Sequence, residues 1–172
     1  MVRAGERANG REFAWPWLKP YVVLQVGSVK VAFIGAGSAD VPNLVAGDGV
    51  KNLRFEDEDT AINRYVTEIQ RQGVAAIVVL IHEGATYKGA ANDPSYICEG
   101  LQGPISDIVN KLDRAISLVV SGNKHQGHTH KIAGCLVVQA RSYGEYLTET
   151  TFTIDRNRNQ VVNAVSKNHL VD

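Results

Sequence analysis

The sequence has no surplus of charge of either sign: 18 lysines and arginines meet 18 aspartates and glutamates. No basic block runs long enough to track phosphates or to hold an anionic membrane surface, so nucleic acid is not expected as a non-specific partner. Long apolar runs are missing too. "VAAIVVLI" and "AISLVV" fall far short of the roughly 20 residues that cross a bilayer, which predicts sheet core and no membrane span. Cysteine is scarce. Cys98 and Cys135 allow one disulfide or two buried thiols, and the count leaves both open. The opening "MVRAGERANGREFAW" has neither an apolar stretch nor a small-residue cleavage motif, so the sequence as it stands predicts a cytoplasmic location. Internal repeats and low-complexity tracts are absent.

A chain of 172 residues suits one domain with a single sizeable core. Residues 1–20 read as a polar extension and residues 21–172 as the domain. "YVVLQVGSVKVAFIGAG" places two β-branched runs around Gly27 and Ser28, predicting strands over Tyr21 to Val26 and Val29 to Ile34 joined by a tight hairpin. Loop residues follow. From Asp57 to Gln72, Ala61, Tyr65 and Ile69 recur at helical spacing, with acidic residues in the first turn and Gly73 past the end. "VAAIVVLI" predicts a strand buried on both faces. After a loop from Ala85 to Gln102, a second helix opens at Pro104, and "AISLVV" is the next buried strand. The segment "CLVVQARSYGEYLTETTFTID" turns to alternation, with Tyr146, Thr148, Thr150 and Phe152 on one side, as antiparallel strands require. The order predicts an α/β fold: a layered mixed β-sheet flanked by helices.

Ligand sites in open α/β sheets gather beyond the carboxyl ends of the strands. "VVLIHEG" ends its strand on His82 and Glu83, and "LVVSGNKHQGHTH" ends the next in Asn123, Lys124, His125, His128 and His130. If those strands are neighbours, the clusters meet at one rim. His128 and His130 are two apart, so an extended backbone aims both rings to one face, and Asn123 and His125 repeat the spacing. Neutral imidazole is a ligand for borderline divalent ions, and Gly122 and Gly127 permit close backbone approach. Solvated loop histidines are the plain alternative. Glu83 adjoins His82 but points to the opposite strand face, which favours a structural or solvated carboxylate over a general base. Ser121 and Ser142 lie in no G-x-S-x-G elbow, so a hydrolase using either serine is the lesser alternative, kept open only by the nearby histidines.

"VKVAFIG", "GVAAIVVLIHEG", "NDPSYICEGLQGPISDIVNKLD", "LVVSG" followed by "HTH", and "LVVQARSYGEYLTETTFTID" together resemble the second half of the metallophosphatase domain of 5'-nucleotidases and related calcineurin-like phosphoesterases. The likeness runs from about Tyr21 to Asp155 and implies half of a metallophosphatase-type sandwich. It also implies a divalent-metal centre, Zn²⁺ or Mn²⁺ by ligand type, held by His82 and two of His125, His128 and His130, with Asn123 as a weaker oxygen ligand. The substrate it implies is a phosphate ester or nucleotide. Two registers stay open. Aligned without a gap, "SGNKHQ" replaces the family's "SGHTHQ", so Asn123 and His125 take the two histidine places. With a four-residue insertion, "GHTH" is the motif, and His128 and His130 are the ligands.

The family's D-x-H, G-D and G-N-H-[DE] motifs, which carry its remaining ligands and catalytic histidine, do not occur before Tyr21. No catalytic residue is therefore assigned here. The resemblance implies a metal-dependent phosphoric ester hydrolase with weak or lost activity, or else a non-catalytic metal-binding or self-associating module. An uncovered sheet face predicts a homo-oligomer or a complementary chain. Intact relatives are commonly periplasmic or secreted and carry disulfides, and the ungapped register leaves Cys135 as the available mate of Cys98. The family's nucleoside-stacking aromatics lie in a further domain, so Tyr87, Tyr96 and Tyr143 receive no such role.

Overall fold

The computed structural model describes residues 6–7, 18–51 and 53–171, so most of the polar extension expected at 1–20 lies outside the described residues. Strand β1 (Glu6–Arg7) pairs antiparallel with β4 (Leu53–Arg54). Gly27, at φ +57°, turns the chain between β2 (Tyr21–Val26) and β3 (Val29–Ala36), where Val26 pairs with Val29. The turn needs a left-handed residue, which glycine supplies without strain. β3 extends two residues beyond the expected Ile34, because its parallel neighbour β5 (Ala76–Ile81) continues pairing to Ala36 and Ile81. The loop chemistry after β3 holds a four-residue helix, α1 (Val41–Leu44), and a 3₁₀ turn over Gly47–Gly49.

Helix α2 (Glu58–Gln70) begins with Glu58 and Asp59 in its first turn and stops before Gly73 at φ +71°. Its buried face is Ala61, Ile62, Val66 and Ile69. The expected line through Tyr65 is off by one residue: Tyr65 sits at the border, its ring 5.9 Å from that of Tyr21. α3 (Pro104–Lys111) buries Ile105, Ile108 and Val109. β6 (Ile116–Val120), β7 (Gly127–Ile132) and β8 (Cys135–Ala140) follow. β7 is among the elements that the sequence pattern did not reveal, as is the strand over Gln160–Leu170. β9 (Tyr146–Asp155) and β10 (Gln160–Leu170) form a long antiparallel hairpin.

The main sheet has the order β2-β3-β5-β6-β8-β7, parallel through β3, β5, β6 and β8 and antiparallel at both edges. Ile34, Ile77, Val79, Ile81, Val119 and Val137 face α2 and α3 in the larger core. Val31, Ala76, Val78, Leu118, Leu136 and Val138 face the other way, toward Phe152, Val161 and Ala164 of the hairpin. The hairpin lies over β6, β8 and β7. At the far edge Val22, Leu24 and Val26 stay about half exposed, as does Leu80. One face of a mixed sheet is thus covered by helices and the other by half a layer, which is the layered α/β arrangement expected.

Asn168 pins the hairpin to the sheet. Buried on β10, its Nδ2 donates to the carbonyls of Ala91 and Gln139 at 2.9 and 3.2 Å, and its backbone N–H donates to Asn92 Oδ1 at 2.6 Å. Removing that amide leaves the buried Gln139 carbonyl and the half-buried Ala91 carbonyl without this donor, at about 1–3 kcal/mol for a buried group. Asn168→Ala is expected to lower the unfolding free energy by about 2–3 kcal/mol, read from the urea midpoint at unchanged slope.

Candidate functional site

β5 and β6 are adjacent and parallel, so the two polar clusters do meet at one rim. The His82 N–H bonds the Ala36 carbonyl at 3.1 Å and the Gly122 N–H bonds the Glu83 carbonyl at 2.9 Å, stitching both strand ends together past their ladders. Ser121 Oγ donates to the Val138 carbonyl at 2.9 Å. This crossing has no room for a side chain at residue 84. A Cβ there would lie 2.1 Å from the Gly122 carbonyl oxygen and 2.7 Å from Gln139 Oε1.

Alternation along β5 puts Ile77, Val79 and Ile81 toward the helices and Val78 and Leu80 toward the opposite side. The next step carries His82 away from the helices, where it is exposed, and turns Glu83 inward to 5% exposure. Glu83 is thus built into the interior. The loop from Ser121 to Gln126 then bends at Asn123 and His125, both at positive φ, +69° and +54°. Asparagine and histidine are among the few non-glycine residues enriched there, and such conformations gather at functional sites. Asn123 is half-buried, Lys124 and His125 are exposed, and the His125 ring stands edge-on to Tyr143 at 5.4 Å.

His128 and His130 go elsewhere. Ala133 and Gly134, at φ +50° and +87°, make a two-residue turn that folds β7 back on β8, setting His128 opposite Gln139 and His130 opposite Val137. Both rings are fully buried, 5.1 Å apart between centres. They share the helix-facing side with Ile132 and Val137. The 85–102 loop closes over them: His130 Nδ1 lies 2.7 Å from the Ile97 carbonyl, and the Tyr87 ring meets His130 edge-on at 4.5 Å. Burial, then the neighbouring His130, lowers the pKa of His128 to about 4. Burial lowers that of His130 as well, partly offset by the Ile97 carbonyl and Asp93. Bonds from Ser95 hold the Asp93 carboxyl below the usual carboxylate range.

The structure therefore brings His82 next to the loop of Asn123 and His125, and His128 next to His130, as two sets. Among the described residues no three histidine, cysteine, aspartate or glutamate side chains gather to hold one ion. For a divalent centre the donors at the rim are right in kind and short in number, since such ions take four or more ligands. Cys98 and Cys135 are free thiols, Cys98 donating to the Lys131 carbonyl at 3.3 Å and Cys135 pushed up to about 12 by burial. Gln139, Ile97 and Asn168 were missed by sequence reasoning. Gln139 had a signal: pairing "GHTHKI" with "CLVVQA" across "AG" would have set it against His128.

No protein-family model matches the chain. It is 33% identical over 147 residues to endonuclease YhcR of Bacillus subtilis (strain 168), covering 86% of this chain and 11% of that protein. It is 32% identical over 148 residues to cell wall protein Lmo0130 of Listeria monocytogenes serovar 1/2a, covering 83% of this chain and 19% of that one. The chain thus spans between a tenth and a fifth of these relatives. Among solved structures, calcineurin-like phosphoesterase YfkN from Bacillus subtilis superposes with a TM-score of 0.73 at 19% identity, over 98% of this chain and 55% of that chain. A 5'-nucleotidase precursor from Thermus thermophilus gives 0.63 at 22% identity, over 88% and 29%. The resemblance read from the motifs holds: the chain shares the fold of the 5'-nucleotidase and calcineurin-like phosphoesterase family.

Two outcomes follow from this geometry. Gly84→Ala forces a Cβ against backbone that cannot step aside, and is expected to cost about 2–3 kcal/mol by urea denaturation. His128, with its folded pKa below that of the unfolded chain, binds fewer protons folded than unfolded as pH falls from about 6.5 toward 4. Its contribution is present above that window and lost within it, by about 3 kcal/mol for this ring. Unfolding free energies measured across the window should decline on acidification, and His128→Leu should flatten the decline.

Proposed function

We propose that this chain is the second half of a divalent-metal-dependent phosphoesterase domain, contributing His82, Asn123 and His125 to the metal centre and hydrolysing phosphate esters weakly or not at all without the other half. The observation that carries the reading is the Gly122 to Glu83 backbone bond, which delivers both motif loops to one rim. It favours the ungapped register, because Gly122, directly before Asn123, lies against the His82 ring. When bound, two divalent ions would supply an activated water and neutralise the phosphoryl charge. The chain's own part is positional. His82 and His125 present imidazoles, Asn123 presents an amide oxygen, and the glycine at 84 keeps the two loops in contact. Zn²⁺ and Mn²⁺ suit this mixed nitrogen and oxygen set.

The remaining carboxylates must come from a complementary segment, in the same polypeptide or another. The half-open sheet face at Val22, Leu24, Val26 and Leu80 supports such a cover. Self-association through the edge strand β2 is a second reading, supported by the same residues, and a monomer by light scattering at tens of micromolar would count against it. Substrates in the class are nucleotides and phosphodiesters, and the endonuclease relative adds polynucleotides to those worth assaying. No helix among the described residues is long and apolar enough to cross a membrane. The cytoplasmic location expected from the sequence finds no support, and the relative named as a cell wall protein favours an envelope setting instead.

Tag-free protein is expected to take up Mn²⁺ or Zn²⁺ and to hydrolyse bis(p-nitrophenyl) phosphate slowly at most. His82→Ala should weaken rim metal affinity by about 10-fold or more. An intact fold with neither uptake nor turnover, even after a first-half segment is added, sinks the reading.

A further inference from the structure

Among the described residues, the buried side-chain nitrogens and oxygens without a well-formed hydrogen bond are His128 Nδ1, His128 Nε2, His130 Nε2 and Gln139 Nε2, although the Gln139 side chain stands close enough to His128 to act weakly on its ring. All belong to one cluster, and all three side chains are at most 1% exposed. Unpaired buried polar atoms are costly and rare, and several in one place call for a physical cause.

We propose that His128, His130 and Gln139 form a buried site for a single divalent transition-metal ion, Zn²⁺ by its ligand chemistry, separate from the rim at His82. The protonation pattern follows from the neighbours. The Ile97 carbonyl can only accept, so His130 Nδ1 carries the hydrogen and Nε2 keeps a bare lone pair. A ring nitrogen donating to a backbone carbonyl while the other faces inward is the usual arrangement behind a metal-bound histidine. His128 adds a second lone pair from the same strand face, two residues away. Two imidazoles bound at about 2.0–2.1 Å to one tetrahedral ion have ring centres about 5 Å apart, and these two stand 5.1 Å apart.

The third donor is Gln139, directly across from His128. Its Oε1 accepts from Ser121 Oγ at 3.3 Å, while Ser121 Oγ also donates to the Val138 carbonyl at 2.9 Å. Exchanging the amide oxygen and nitrogen costs nothing on that side, because Nε2 then donates to Ser121 Oγ. Oε1 is thereby freed for the cluster, and the orphaned Nε2 is satisfied. Two imidazole nitrogens and one amide oxygen supply three protein ligands, and a water takes the fourth tetrahedral position. The burial that holds both rings neutral also favours ligation over protonation.

This site does not depend on the phosphoesterase reading, and its test is spectroscopic. Chelator-stripped, tag-free protein is titrated with Co²⁺ as a visible-band surrogate, then with Zn²⁺, while long-range ¹H–¹⁵N spectra follow the imidazole nitrogens. One equivalent, beyond any bound at the rim, is expected to bind with a tetrahedral Co²⁺ band and to move the signals of His128 and of His130 Nε2. The double variant His82→Ala, His125→Ala should retain that equivalent, and His130→Gln should weaken it about 100-fold or more. Should His130→Gln fail to fold, the wild-type nitrogen spectrum decides alone. Unchanged His128 and His130 signals at saturating Zn²⁺, as ordered water in the cluster would give, overturn the proposal. So does loss of all uptake in the rim double variant.

Discussion

A single backbone hydrogen bond, from the Gly122 N–H to the Glu83 carbonyl at 2.9 Å, governs what this rim can be. It joins the ends of two parallel strands just beyond their ladder, where side chains would normally force the loops apart. Gly84 makes the contact possible, since any Cβ there would meet the Gly122 carbonyl oxygen at 2.1 Å. Once the loops are joined, the side chains after Gly122 and the one before Glu83 share a rim whatever their identity. Asn123 and His125 then reach positive φ because the chain must leave the junction and reverse toward β7.

The same sheet that creates the rim divides the histidines. A strand sends successive side chains to opposite faces, so a motif that looks continuous in sequence is split by the plane of the sheet. His82 leaves on the exposed side, whereas His128 and His130 enter the helix side with Ile132. Exposure keeps the first set available to an incoming ligand. Burial makes the second set neutral, enclosed and dependent on whatever satisfies its ring nitrogens.

Half-coverage of the sheet has its own consequence. The β9–β10 hairpin supplies a second layer over β6, β8 and β7, held by Asn168 to the carbonyls of Ala91 and Gln139. Beyond it, Val22, Leu24, Val26 and Leu80 stay about half exposed among the described residues. A sheet with one finished face and one half-finished face is complete as a scaffold for the rim, yet open to a further layer.

Local pattern was enough for the β2–β3 hairpin, for α2 and α3, for the buried strands β5 and β6 and for the inward line of Tyr146, Thr148, Thr150 and Phe152, because each depends on periodicity and on turn residues within the segment itself. The motif residues, too, were legible by type and spacing. Pairing across the sheet was not. "GHTHKI" carries no apolar alternation and becomes a strand only because the Ala133–Gly134 turn lays it along β8, and the partners of its histidines, Gln139 and Ile97, lie 33 residues or fewer away on other elements. Composition and spacing thus determined which groups are available for ligation. Tertiary structure decided which of them share a space, because the face a side chain takes depends on the register of a strand whose existence depends on its neighbour.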